Sequence, residues 1–343
     1  QLINNFYFYK NNPIDGVSNF EEITDNFINT FDLLSDINPE YFDFDNDSDL
    51  DLIIGTDFDP SDFPWVGKLV LFENIGLDEN NEPIWSLIDD SYLGDGLGNN
   101  LSPVTVDIDF DNDFDLFVGN FNGTIQFFEN VGDEESPIYE FIELLSDIDL
   151  SGYSSPEFID IDFDEDYDLL VGNMDGNIFF YENIGDKYNY NFQLSDANFQ
   201  NISVGTRSMP LCYDYDHDDD IDLLIGSGNN DISFYENTGN FNFSYNENKS
   251  IFNLGKNSSP EIYSGASQEG LVIGLSTGGM YFRATDEERL AEIYEEINSL
   301  ERSEISVKQF QQYRELFGWL LIPAVFIAIG VSFISENIFR KRV

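Results

Sequence analysis

The densest chemistry in this sequence is carboxylate. Asp43, Asp45, Asp47, Asp49 and Asp51 take every odd position of nine residues. The same ladder recurs at Asp107, Asp109, Asp111, Asp113 and Asp115, at Asp160, Asp162, Asp164, Asp166 and Asp168, and at Asp214, Asp216, Asp218, Asp220 and Asp222. A hard cation such as Ca²⁺ takes about 6 to 8 oxygens at ~2.3–2.6 Å, and a tight loop supplies them only when alternate side chains converge on one point. Carboxylates at positions 1, 3, 5 and 9, with the backbone carbonyl of position 7, give that arrangement. Without a cation among them, so many like charges in one loop would repel. A half-buried strand with Asp on its wet face would alternate in the same way. Such a strand would also accept Lys, Ser or Thr at the odd positions, and no copy uses them. About four calcium ions, one per ladder, are therefore expected.

Positions 4 and 6 of the ladders are Asn46 and Ser48, Phe110 and Asn112, Phe163 and Glu165, and His217 and Asp219. EF-hand loops use Gly for their sharp turn. Non-Gly residues here would have to adopt positive φ, at a cost that is larger for Phe than for Asn or Asp. Weak structural sites, with Kd of about 10⁻⁴–10⁻³ M, are the expectation.

Composition supports a cation-binding chain. Its 343 residues carry 14 Lys and Arg against 67 Asp and Glu, a formal charge of −53. That balance excludes nucleic acid as a partner, because phosphates must be neutralised by basic side chains. A hydrophobic fraction of 41% supports a packed interior. The single cysteine, Cys212, permits no internal disulfide, and the single histidine, His217, leaves little for zinc or Ser-His-Asp chemistry. Neither residue is assigned a functional role. The chain starts at Gln1, which a cleaved signal and a fragment would both explain.

The ladders belong to tandem repeats. Each ends in Leu, two apolar residues and Gly, as in Leu52-Ile53-Ile54-Gly55. A proline stands four residues before each first Asp, at Pro39, Pro103, Pro156 and Pro210. An aromatic-Glu-Asn-x-Gly turn follows, at Phe72 to Gly76, Phe128 to Gly132, Tyr181 to Gly185 and Tyr235 to Gly239. Phe6 to Asn12 reads as the last landmark of a repeat whose beginning is missing. Pro260 to Tyr281 reads as a fifth repeat whose ladder has decayed to Ser264, Ala266 and Gln268 and should bind no ion. An insertion around Phe58 to Trp65 is a candidate contact loop.

Apolar runs such as Leu52-Ile53-Ile54, Ile125 to Phe128 and Ile178 to Tyr181 read as strands. Roughly 54 residues and four strands per repeat are the size of a propeller blade. The predicted fold class is all-β, a β-propeller of four-stranded blades with Asp-rich calcium loops, and a solenoid of short sheets is its main competitor.

These motifs resemble the FG-GAP/VCBS repeat family, the calcium-loop blades also found in integrin α-chain heads. The resemblance covers residues 1–282. It implies a secreted or surface-exposed propeller with its ions in loops between adjacent strands of a blade.

From Thr285 the pattern changes. Leu290, Ile293, Tyr294, Ile297 and Leu300 stand at helical spacing, with Thr285 and Glu288 as a capping box. Leu316 to Ile334 carries no charge and is long enough to cross ~30 Å of hydrocarbon. Arg340-Lys341-Arg342 after it places the C-terminus in the cytoplasm and the repeats outside. The expected organisation is a propeller over 1–284, an amphipathic helix and linker over 285–315, a transmembrane helix over 316–334 and a basic tail over 335–343. Residues 276–320 are similar to the end of the von Willebrand factor A domain in aerotolerance-type (Bat) membrane proteins. The Asp-x-Ser-x-Ser metal motif of that domain is absent here, so only the anchoring role carries over.

The leading expectation is a membrane-anchored, non-enzymatic binding or adhesion module with an extracellular protein or glycan ligand. An extracellular propeller enzyme on polysaccharide, using paired carboxylates, is the alternative; in the sequence no isolated Glu pair, nucleophile elbow or His constellation stands out for it. A subunit of an aerotolerance-type membrane complex is a further alternative.

Overall fold

The computed structural model describes residues 6–11, 20–24, 36–57, 66–78, 83–132, 136–145, 148, 150, 152–215, 218, 220–229, 231–251, 256–265 and 268–276. All lie in the compact unit Gln1–Tyr281. The expectations on the 58–65 insertion, on Asp216, His217 and Asp219, and on the tail from Thr285 fall outside the described residues. Among the described residues no helix is long and apolar enough to cross a membrane.

The chain opens with β1 (Phe6–Asn11) and β2 (Phe20–Thr24). Blade 1 follows as β3 (Ile37–Phe42), β4 (Asp51–Thr56), β5 (Leu69–Leu77) and β6 (Pro83–Tyr92). Blade 2 is β7 (Ser102–Val106), β8 (Asp115–Gly119), β9 (Ile125–Asn130) and β10 (Tyr139–Leu144). Blade 3 is β11 (Ser154–Ile159), β12 (Asp168–Asn173), β13 (Ile178–Asn183) and β14 (Phe192–Asp196), and blade 4 is β15 (Ser208–Tyr213), β16 (Asp222–Ser227), β17 (Ile232–Asn237) and β18 (Phe243–Tyr245). β19 (Lys256–Gly265) and β20 (Gln268–Ser276) end the series. The apolar runs read as strands lie in β4, β9 and β13. Among the described residues the only helical element is a single 3-10 turn, Phe199–Asn201.

The two incomplete repeats complete each other. β1 pairs antiparallel with β20, Phe6 opposite Gly274 and Lys10 opposite Gly270, to give blade 5, a sheet ordered β19-β20-β1-β2. Among the described residues there are therefore five four-stranded blades, a number that four and a half visible repeats left open. Their innermost strands touch in the order β3, β7, β11, β15 and β19, and β19 returns to β3. A solenoid would leave that last contact unmade. The sheets close into an all-β propeller.

Two of the repeat's landmarks are halves of one contact. A Cβ on Gly172 would lie 2.0 Å from the Ser208 carbonyl oxygen and 2.9 Å from Cδ of Pro210 in the next blade. Gly55, Gly119, Gly226 and Gly274 make the same approach to Leu101 and Pro103, to Ser154 and Pro156, to Ser258 and Pro260, and to Ile37 and Pro39. Only glycine lets the second strand of a blade come this near the next inner strand. Five apolar clusters fill the five interfaces so formed. Phe42, Ile53 and Leu71 pack with Leu116 and Val118 between blades 1 and 2, and Tyr41 and Ile54 pack with Tyr263 and Val272 where blade 5 meets blade 1. Fully burying such a side chain contributes about 1.5–3 kcal/mol, so each interface helps hold the ring together.

Candidate functional site

The first three Asp ladders form the hairpins between the first and second strands of their blades, and the described residues of the fourth lie between β15 and β16. Positive φ occurs where it was expected: Asn46 (56°) and Ser48 (75°), Phe110 (57°) and Asn112 (75°), Phe163 (63°) and Glu165 (74°). The first Asp folds the loop by taking amide hydrogens. Asp43 accepts from Asp47 N (3.1 Å) and Ser48 N (3.1 Å), and Asp107 from Asp111 N (3.0 Å) and Asn112 N (3.1 Å). Asp160 accepts from Glu165 N and Asp214 from Asp218 N.

The ninth residue ties the loop to the sheet. Asp51 Oδ1 accepts the amide of Asn74 (2.8 Å) and its Oδ2 that of Phe44 (2.8 Å). Asp115, Asp168 and Asp222 accept the amides of Asn130, Asn183 and Asn237 in the same way. Those asparagines come from the aromatic-Glu-Asn-x-Gly turn, and each turns its own Oδ1 to the following glycine amide. The third landmark of the repeat is thus the far end of the Asp ladder.

Carboxylate oxygens converge within 4.8 Å of one another in three loops, from Asp43, Asp45 and Asp51, from Asp107, Asp109 and Asp111, and from Asp160, Asp162 and Asp164. Oδ1 of Asp45, Asp49, Asp109, Asp113, Asp160 and Asp166 is buried and accepts no hydrogen bond. Orphaned buried anionic oxygens are costly, and a hard cation is the partner that fits an all-oxygen donor set. Asp49, Asp113 and Asp166, at position 7, stand outside the three converging triads. Burial, and then the neighbouring aspartates, push these three up to about 6. Burial pushes Asp51, Asp115 and Asp168 up to about 7 against the pull of their amide donors. A bound cation would reverse these shifts. In the fourth loop Asp214, Asp218, Asp220 and Asp222 are described and Asp216 is not.

A second acidic cluster was missed in the sequence. Glu40, Glu157 and Glu261 each follow the repeat proline on the inner strands of blades 1, 3 and 5. Glu40 is buried at 8% exposure, and Glu157 and Glu261 are half-buried. Glu40 Oε1 accepts from the backbone N (2.7 Å) and Oγ1 (2.8 Å) of Thr105 in blade 2. Glu157 Oε1 accepts from Cys212 N (2.7 Å) in blade 4, so Cys212 serves the cluster through its backbone. Glu261 Oε1 accepts from its neighbour Ile262 N (3.0 Å). Burial raises Glu40 to about 7 even though Thr105 lowers it, and burial together with the Glu40 charge raises Glu157 to about 8. Burial, then the charges of Glu40 and Glu157, put Glu261 well above the carboxylate range. Three blades therefore bring three carboxyl groups into one electrostatic field. The signal was a Pro-Glu pair, at Pro39, Pro156 and Pro260.

These shifts set a pH dependence. A carboxyl that titrates higher in the folded state binds its proton more tightly there. Its stabilising contribution is complete below the ordinary value of 4.5 and is lost as pH rises through 7 to 8. Melting temperature is expected to fall from about pH 5 to about pH 8, and Glu157→Gln to flatten that fall. A profile that the substitution leaves unchanged would show that Glu157 does not set it.

No protein-family model matches the chain, and no curated protein matches it in sequence. Among solved structures it is similar to a GH43_1 enzyme from Xanthomonas citri, with 10% identity, a TM-score of 0.43, and coverage of 73% of this chain and 89% of that one. That finding corrects the expectation of a non-enzymatic chain: the structure it is similar to is an enzyme's, and the absence of a catalytic role is not retained.

Proposed function

We propose that the protein is a calcium-stabilised propeller displayed outside the cytoplasm, and that it acts on a polysaccharide through the carboxyl groups of Glu40, Glu157 and Glu261. The observation that carries this reading is the convergence of three glutamates from three blades, with Glu40 and Glu157 titrating near 7 and 8. Such a cluster holds protonated and ionised carboxyls together at neutral pH. Glycoside hydrolysis asks for that pair: an acid protonates the leaving oxygen while a carboxylate activates water or attacks the sugar carbon. The charge of −53 favours a neutral or cationic polymer over an anionic one.

In this reading the Asp ladders hold the calcium and keep the hairpins in shape, in keeping with the FG-GAP/VCBS resemblance. Display outside the cytoplasm rests on the apolar stretch 316–334 and the basic residues after it. The test is release of reducing ends from a panel of neutral and cationic glycans by the full chain. Glu157→Gln and Glu261→Gln are each expected to lower kcat by about 10²–10⁴-fold while the melting temperature stays within a few degrees.

A second reading, a binding or adhesion module, is favoured by the bonds from Glu40 to Thr105 and from Glu157 to Cys212, which pin edge amides of the next blade. Under it no glycan would be turned over, and the same substitutions would cost stability instead.

A further inference from the structure

The residue three before the repeat proline has the same place in every blade: Asp36, Asn100, Tyr153, Arg207 and Asn257. All five precede or begin an inner strand, and four of them hold positive φ, at 54°, 54°, 45° and 54° for Asn100, Tyr153, Arg207 and Asn257. That backbone is uncommon for non-glycine residues and costly for a Tyr. In this protein it brings the five side chains together. Oδ2 of Asp36 accepts from Arg207 Nη1 (2.6 Å), Asn257 Nδ2 (2.5 Å) and Asn100 Nδ2 (3.1 Å). The Arg207 guanidinium lies 4.8 Å from the centre of the Tyr153 ring. One carboxylate of blade 1 is thereby tied to blades 2, 4 and 5, and its cation is stacked on blade 3. The ion pair is well shielded, with side chains 12% and 15% exposed.

We propose that these five residues form a clasp that holds the propeller shut, with Asp36 as the anion on which it depends. Blade 5 is the seam of the ring, because its strands come from distant parts of the chain. Asn257 leads into that blade and Asp36 leads into blade 1, so the 2.5 Å bond between them crosses the interface that closes last. Arg207 reaches Asp36 from blade 4, on the other side of the seam. Opening the ring at blade 5 would break both bonds and strand a buried charge, which costs more than losing an ordinary hydrogen bond.

The test is hydrogen exchange of the full chain as wild type, Asp36→Asn, Arg207→Met, the double variant and the milder Asn257→Ala. Asp36→Asn and Arg207→Met are each expected to speed exchange at the β1–β20 pairing by at least about tenfold, with β8–β9 little changed. The double variant should fall well short of the product of the two, because both remove one interaction. Asn257→Ala should give a smaller rise in the same place, and it keeps the comparison usable if a charge variant fails to fold. A rise spread evenly over all blades, no rise at the seam, or full additivity would overturn the proposal.

Discussion

Chelating calcium from the full chain is expected to lower its melting temperature by more than any single substitution away from the blade contacts. Ligand that binds only the folded state stabilises it by about 2.7 kcal/mol per site at a hundredfold excess over Kd. Three converging carboxylate triads would together contribute roughly 8 kcal/mol at that excess, a large part of the stability of an ordinary domain. The loss should be graded with calcium concentration in the range of about 10⁻⁴–10⁻² M, as weak sites require. Asp109→Asn should remove a fraction of the calcium response without abolishing it, because the triads lie in separate hairpins. Melting curves that superimpose in calcium and in chelator would sink the metal reading. The buried orphan oxygens would then have to be held protonated, in line with the upward shifts of Asp49, Asp113 and Asp166.

Gly172→Ala is expected to be among the most damaging single methyls at the described glycines, together with Gly226→Ala, whose added Cβ would stand 1.9 Å from the Ser258 carbonyl oxygen. At Gly172 the added Cβ would stand 2.0 Å from a backbone oxygen and 2.9 Å from a proline ring, and neither is a flexible side-chain end. In an open stack the blades could part slightly, but a ring closed by inner-strand contacts on every side offers no such slack. A cost of about 3 kcal/mol or more follows from overpacking of this kind. Gly239→Ala is the control: its φ is +105° and an added Cβ would meet nothing within 4 Å, so only backbone strain is introduced. That variant should lose roughly 1–2 kcal/mol. Denaturant midpoints of Gly172→Ala and Gly239→Ala decide the point, and equal losses would mean that the glycine-proline contact does not set the blade spacing.

The repeat made much of the fold legible. Pro39, Asp43 to Asp51, Gly55 and Asn74 could be aligned across copies before any of their contacts were known, because each contact repeats with the blade. The strained positions of the hairpins were legible too, since Phe110 and Phe163 occupy sites where an alternating ligand loop must turn. Blade number was not, because blade 5 draws its strands from Phe6–Asn11 and Phe20–Thr24 at one end and from 256–276 at the other. The sequence shows such a blade as two unrelated fragments. Glu40, Glu157 and Glu261 were obscured for a related reason. They are distant in sequence and come into one electrostatic field only when the ring closes, and an isolated Pro-Glu pair carries no spacing signal of its own.

Pairing Phe6 with Gly274 also sets an order of events in folding. Closing a long loop carries an entropic cost that grows slowly with its length, yet it must be met before any contact within the closed sheet repays it. β1 and β2 are made first and can dock only when β20 has emerged, so until then they remain a hairpin with an open edge. An unpaired edge of that kind is a template for a neighbouring chain, and folds dominated by distant pairings form slowly. The window in which this protein is most exposed to aggregation is therefore the interval between synthesis of β2 and synthesis of β20. A host that supplies chaperones during that interval should raise the soluble yield more than one that supplies calcium alone.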